Sequence, residues 1–164
     1  MKKINIKEAK FNPFTLLSDD WGLITVCSGD QENAMTISWG GFGHLWNQDV
    51  LYLFVRPQRH TYAMLDESVV AVTFLEPGHR KALGYLGSAS GASEDKISQC
   101  GLHAIRDEKG LYFEESAFLF TGEILYRESL KEDAFLDPSL VKTFYEKGDF
   151  SELIVFSVKE VHVK

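Results

Sequence analysis

The chain is 164 residues long, 45% hydrophobic and 13% aromatic, which is enough apolar material for a single domain over residues 1–164 that folds without disulfide or metal staples. Its formal net charge of −7 excludes a nucleic-acid backbone as partner, because such binding runs on an excess of Lys and Arg; any anion site must be local. No run approaches the ~20 apolar residues that cross a bilayer, no secretory apolar core follows Lys2 and Lys3, and Cys27 and Cys100 lie far apart without a C-x-x-C, so a reduced cytoplasmic chain with no membrane partner is expected.

Asn12-Pro13-Phe14-Thr15 opens the first ordered segment, and Asp19-Asp20-Trp21-Gly22 reads as a turn. Leu23–Ser28 is then a buried strand, and Gly29–Glu32 the hairpin loop into a second strand, Ala34–Trp39. Alternation puts Met35, Ile37 and Trp39 on one face of that strand and the hydroxyls of Thr36 and Ser38 on the other. Two hydroxyls on one face can donate together to phosphate oxygens. Gly40, Gly41 and Gly43 predict a turn-rich segment in which backbone can approach a flat ring beside Trp39. It is no dinucleotide fingerprint, since Trp46 stands where the pattern needs glycine, and there is no P-loop lysine.

An apolar strand, Val50–Val55, runs into Arg56-Pro57-Gln58-Arg59, and Thr61 starts a short helix reaching Ser68. Guanidinium forks bond phosphate bidentately, a helix start adds free N–H groups, and Pro57 stiffens the chain between the arginines. Val69–Leu75, rich in β-branched residues, is another strand. His79–Gly87 reads as a helix, Ser88–Ser93 as a polar loop, and Glu94–Cys100 as a second short helix carrying Lys96. Phe118, Phe120, Gly122, Ile124 and Tyr126 share one face of a long strand, with Gly122 marking a bend or bulge. Asp137-Pro138 starts a helix to about Lys147, stopped by Gly148, and Leu153–Val163 is the last strand. The result is a mainly β protein, a closed or nearly closed antiparallel barrel with short flanking helices.

Blocks N-A-M-T-I-S-W-G-G (Asn33–Gly41), L-W-N (Leu45–Asn47), R-P-Q-R-H-T-Y (Arg56–Tyr62), K-A-L-G-Y-L-G-S-A-S-G (Lys81–Gly91) and D-K (Asp95–Lys96), spread over about two thirds of the chain, resemble the flavin reductase-like FMN-binding family, including its flavoredoxin-type members. The resemblance implies a split (Greek-key) antiparallel β-barrel and non-covalent FMN. Thr36, Ser38, Arg59 and Thr61 would hold the phosphate with Arg56 nearby, and the backbone of Met35, Thr36, Ile37, Ser38 and Trp39 would edge the isoalloxazine ring. Asn33, Tyr62, Ser90 and Lys96 complete the candidate cofactor-binding set. It further implies a homodimer and an oxidoreductase that takes reducing equivalents from NADH or NADPH through FMN to free flavin or another acceptor. No catalytic acid or base is required, since flavin carries the chemistry. The alternatives are a flavoredoxin-like electron carrier with little NAD(P)H activity and a cofactor-free binding barrel.

The five histidines share no metal-ligand spacing, no serine elbow is visible, and no metal is expected. His60 stands inside the arginine motif where relatives often carry tyrosine. His60→Tyr is expected to retain flavin binding, checked by fluorescence titration with FMN; complete loss of binding is the contrary result.

Overall fold

The computed structural model describes residues 1–66 and 68–164. In chain order the elements are β1 (Lys2–Ile4), α1 (Pro13–Thr15), β2 (Gly22–Ser28), β3 (Gln31–Ile37), β4 (Gly40–Leu45), β5 (Gln48–Val55), α2 (His60–Met64) and β6 (Val69–Leu75). They continue with α3 (Arg80–Ser88), α4 (Lys96–Gln99), β7 (Ala104–Asp107), β8 (Gly110–Phe113), β9 (Ser116–Ser129), α5 (Pro138–Phe144) and β10 (Glu152–Val163). The antiparallel sheet runs β3-β2-β6-β9-β10-β5-β4, with β1 added to β10 and β7 and β8 forming a separate hairpin.

The sheet curls but does not close. Its two edges, β3 and β4, are consecutive in the chain and are joined through Ser38 and Trp39. The interior is filled by Ile24, Met35, Ile37, Leu53, Val72, Phe74, Phe120 and Phe156. A second cluster, including Leu23, Ala34, Leu83, Leu86, Ile97 and Phe113, lies on the outer face of β2 and β3, where α3, α4 and β8 pack. Both faces of β3 are therefore covered, which suits a run as apolar as its middle.

Curling is driven from β9 and β10, whose pairing shifts register between Val155 and Phe156 and again between Val158 and Glu160. Gly122 sits at the second shift, so close to its neighbour that a Cβ would lie 1.7 Å from the Ser157 carbonyl oxygen. The bend expected there is present. At the first shift Leu125 is left without a partner, which reverses the faces beyond it. Tyr126 accordingly does not share the buried face of Phe120; it is 44% exposed and meets Trp46 on the outside.

Gly40–Leu45, expected to be turn-rich, is strand β4, paired residue for residue with β5. Its glycines serve the Tyr52 side chain and backbone: a Cβ on Gly43 would lie 2.7 Å from the Tyr52 ring, and one on Gly40 2.4 Å from the Tyr52 carbonyl. Trp46 and Asn47, at φ 51° and 58°, make the two-residue hairpin to β5 in the left-handed conformation such turns require. Three helices are shorter than expected: α2 stops at Met64 rather than Ser68, α4 covers only Lys96–Gln99 of the expected Glu94–Cys100, and α5 stops at Phe144 with Gly148 (φ 70°) closing a later turn. Residue 67 of the expected α2 lies outside the described residues. The hairpin β7–β8 and strand β1 carry no sequence expectation above.

Gly122→Ala is expected to destabilise by about 3 kcal/mol or more, because backbone rather than a movable side chain meets the added methyl. Gly84→Ala, in the middle of α3 with nothing within 4 Å of its Cβ position, is expected to stabilise by up to about 1 kcal/mol. Urea denaturation of both variants checks the pair.

Candidate functional site

Where the open edge of β3 meets α2 and the end of α3, two hollows lie side by side and share Arg59. The first, about 260 Å³, is lined by Met35, Thr36, Ile37, Ser38, Trp39, Arg56, Arg59 and Gly87, with Trp21, Phe54 and Ser151 completing it. The second, about 210 Å³, is lined by Asn33, Gln58, Arg59, His60, Thr61, Lys96 and the Ser88–Gly91 loop. Eleven of the twelve sequence candidates therefore line one hollow or the other.

Tyr62 is the exception. Its hydroxyl donates to Glu152 at 2.6 Å, and the guanidinium of Arg127, itself paired with Glu152 and Asp66, lies 4.8 Å from the centre of its ring. One residue along α2 turns the side chain by about 100°, so Thr61 faces the second hollow and Tyr62 the barrel wall. Arg56 lines the first hollow but its guanidinium is spent elsewhere, on the Asp149 carboxylate and on the Phe144 carbonyl at 2.8 Å.

Met35 and Ile37 are core residues, 5% and 3% exposed, so they offer the hollow mainly backbone. Main-chain groups on the outer side of β3 have no strand neighbour, since β3 pairs only with β2. Trp39, just past the strand, is 42% exposed. Thr36 donates its hydroxyl to the Leu83 carbonyl at 2.6 Å, which ties β3 to α3, while Gly87 packs so tightly that a Cβ would lie 3.2 Å from Thr36 Cβ.

The electrostatic centre is the C-terminal end of α3. Lys96 Nζ donates to the carbonyls of Leu86 and Ala89, each at 3.1 Å, and Arg59 donates to that of Gly87. The last carbonyls of a helix are its negative pole, so both cations are well placed there. Yet neither forms an ion pair among the described residues, whereas their neighbours Arg56 and Arg106 are matched with Asp149 and Glu32. Lys96 is 3% exposed. Burial, and then the charge of Arg59, lower its pKa to about 8 against a smaller opposing pull from Glu94. Burial and Arg56 likewise lower that of Arg59.

Asn33, 1% exposed, donates to Thr61 Oγ1 at 2.8 Å, but its own Oδ1 is buried without a partner. The Gly91 backbone crosses directly over that oxygen: a Cβ there would lie 2.5 Å from it. Sequence reasoning passed over Gly87 and Gly91 as individual contributors, although their small size in a Ser/Gly-rich loop was a usable signal; Ser151, buried at 1%, gave none. No group of three or more His, Cys, Asp or Glu residues suited to a metal occurs among the described residues, and no described helix is long and apolar enough to cross a membrane.

No family model and no curated protein matches the sequence. Solved structures do. An FMN-binding protein from Thermus thermophilus superposes with a TM-score of 0.70 at 17% identity, over 100% of this chain and 82% of that one. The flavoredoxin of Desulfovibrio vulgaris gives 0.68 at 17% identity over 100% and 77%. An NADH:FAD oxidoreductase of Streptomyces globisporus gives 0.67 at 13% identity over 88% and 75%. The chain shares the split-barrel fold of these structures, mainly antiparallel β with short flanking helices.

The position of Lys96 makes a pH prediction about the protein alone. Its pKa is about 8 when folded, below its usual 10.5, so the unfolded chain binds more protons between those values and Lys96 contributes increasing stability as pH rises through that window. Relative to Lys96→Met, the wild type should gain in melting temperature between pH 8 and pH 10. A difference that stays constant across the window, measured by differential scanning calorimetry, would contradict the assignment.

Proposed function

We propose that the chain binds FMN without a covalent link and works as an oxidoreductase of the flavin reductase type. The observation that carries this is the cation couple Arg59 and Lys96, without an ion-pair partner among the described residues, held at the end of α3 in a chain of net charge −7. An anion there relieves the mutual repulsion of the couple, and phosphate matches a guanidinium fork.

The residues present fit the cofactor. Arg59, Lys96, Thr61 and the Ser88–Gly91 loop with Ser90 would hold the phosphate, and His60 borders the same hollow. The buried Oδ1 of Asn33, without a partner among the described residues, calls for a hydrogen-bond donor, which the hydroxyl-bearing chain between phosphate and ring would supply. The free edge of β3 from Met35 to Trp39 would border the ring; Thr36 and Ser38, expected from the sequence to hold the phosphate, line this other hollow, and the Thr36 hydroxyl is already given to the Leu83 carbonyl, so both are reassigned to the ring side. The chemistry that FMN brings is two-electron acceptance from NADH or NADPH and delivery to free flavin or another acceptor. The protein's part is to seat the tail electrostatically, orient the ring along a strand edge and cover one side with α3 and its loop.

The same seat serves an electron-transfer protein that turns over nicotinamide poorly, as the likeness in fold to a flavoredoxin suggests. Steady-state NAD(P)H oxidation with added FMN separates the two roles. We further read the chain as a cytoplasmic homodimer; large apolar side chains left outside, Trp46, Leu136, Leu140 and Phe144 among them, support the dimer.

FMN fluorescence should quench on addition to the purified protein, and the melting temperature should rise with the logarithm of FMN concentration once that exceeds the dissociation constant. A melting temperature unmoved by FMN would overturn the proposal. Arg59→Met should weaken FMN roughly 10- to 100-fold, equivalent to about 1.5–3 kcal/mol for a lost charged hydrogen bond. Because a bound anion raises the pKa of Lys96, binding takes up a proton above pH 8 and affinity should fall from pH 8 to pH 10, a dependence that Lys96→Met flattens.

A further inference from the structure

Arg56 stands in the same motif as Arg59, only three residues away, but the two guanidinium groups do different work. Arg59 points to the end of α3. Arg56 instead reaches the end of α5 and the segment after it, where Nη2 donates to the Phe144 carbonyl at 2.8 Å and Nη1 to the Asp149 carboxylate. Gln58 adds a second donor to the same Asp149 oxygen at 2.7 Å. Burial alone would raise the pKa of Asp149, but the hydrogen bonds from Arg56 and Gln58 outweigh it and keep the carboxylate ionised. The guanidinium carbon lies 5.1 Å from the Tyr145 ring centre and 5.9 Å from that of Trp39. Trp39 in turn meets Phe144 edge-on at 5.5 Å.

These contacts form a closed circuit. The exposed indole of Trp39 sits on the connection between the two open edges of the barrel, where no strand pairing fixes it. Its orientation is set by contacts with Phe144 and Arg56 that leave it 42% exposed, and Phe144 is held by the same Arg56 through its carbonyl. A lysine could supply the charge, but it lacks the planar fork that reaches a carboxylate and a carbonyl at once.

We propose that Arg56 is a positioning residue: it clasps the 144–149 segment against the barrel and thereby fixes Trp39 as the aromatic wall against which a planar co-substrate approaches the first hollow. This rests on the reading of that hollow as the ring side of the flavin seat. The class of co-substrate that such a wall selects is flat and aromatic, a nicotinamide or a second flavin, because an exposed indole face offers stacking area and little hydrogen bonding.

The test compares Arg56→Met, Asp149→Asn and Arg56→Lys with Arg59→Met and wild type. Arg56→Met and Asp149→Asn open the clasp from its two ends, so both should keep FMN affinity within about threefold of wild type. Both should alter the visible circular dichroism of bound FMN and raise KM for NADH about fivefold or more, with kcat changed less than twofold. Arg56→Lys should fail to restore KM. In the FMN-free protein, amide exchange of residues 138–150 should quicken in both clasp variants, a result independent of whether flavin binds at all. The proposal is overturned if Arg56→Met weakens FMN as strongly as Arg59→Met, which would make Arg56 a phosphate ligand. It is equally overturned if amide exchange quickens while the dichroism and KM stay at wild-type values, which would make the clasp merely structural, or if Asp149→Asn matches wild type in every measurement. Should Arg56→Met fail to fold, Asp149→Asn reads the same circuit. If wild type itself binds no FMN, the functional reading falls, and the exchange data still decide the clasp.

Discussion

The architecture hangs on β10. It pairs with β9 along nearly its whole length, with β5 on its other side and with β1 at its end, so three stretches far apart in sequence are registered against one strand. The register shifts along β9 and β10, and the near-contact of Gly122 with the Ser157 carbonyl, turn that long ribbon sharply enough to bring β3 and β4 round toward each other. They stop short of pairing. A closed barrel would have used the outer edge of β3 in its own hydrogen bonding; the open one leaves it facing a hollow.

What occupies the end of that hollow is decided by a helix terminus. The last carbonyls of α3 need donors, and instead of backbone they receive Lys96 and Arg59. The short α2 is held in place from both directions, Thr61 receiving a hydrogen bond from Asn33 and Tyr62 giving one to Glu152 within the Arg127 and Asp66 network. A helix of this length has little stability of its own, so these side-chain tethers, with the packing of Met64 and Leu65 into the core, set its position.

The sequence was most legible where one local rule dominated. Val69–Leu75, a run of β-branched and aromatic residues bounded by breakers, is a strand with those same limits. Asp137-Pro138 starts its helix with the side-chain cap expected of Asp, and Gly122 lies at a bulge. Legibility failed where two rules conflicted. The glycines of Gly40–Gly43 signal a turn, yet they are strand residues because the Tyr52 ring and backbone need room. The face assigned to Tyr126 was lost at Leu125, since a bulge shifts the period and leaves no mark in composition. In the site, neighbourhood along the chain misled for Arg56 and Tyr62, whose partners Asp149 and Glu152 lie 93 and 90 residues away. Lys96 and the Ser88–Gly91 loop came from resemblance to a family; no local pattern distinguishes a buried lysine at a helix end from a solvated one.

The capping of α3 by long side chains has a further effect on recognition. A flexible lysine normally loses rotamer freedom when it grips a ligand, at a cost of up to about 2 kcal/mol. Here the aliphatic stem of Lys96 is immobilised by folding, and its ammonium is anchored to two carbonyls before any guest arrives. The entropy of ordering is therefore met during folding, and an anion of the proposed kind would find the ammonium already fixed in place.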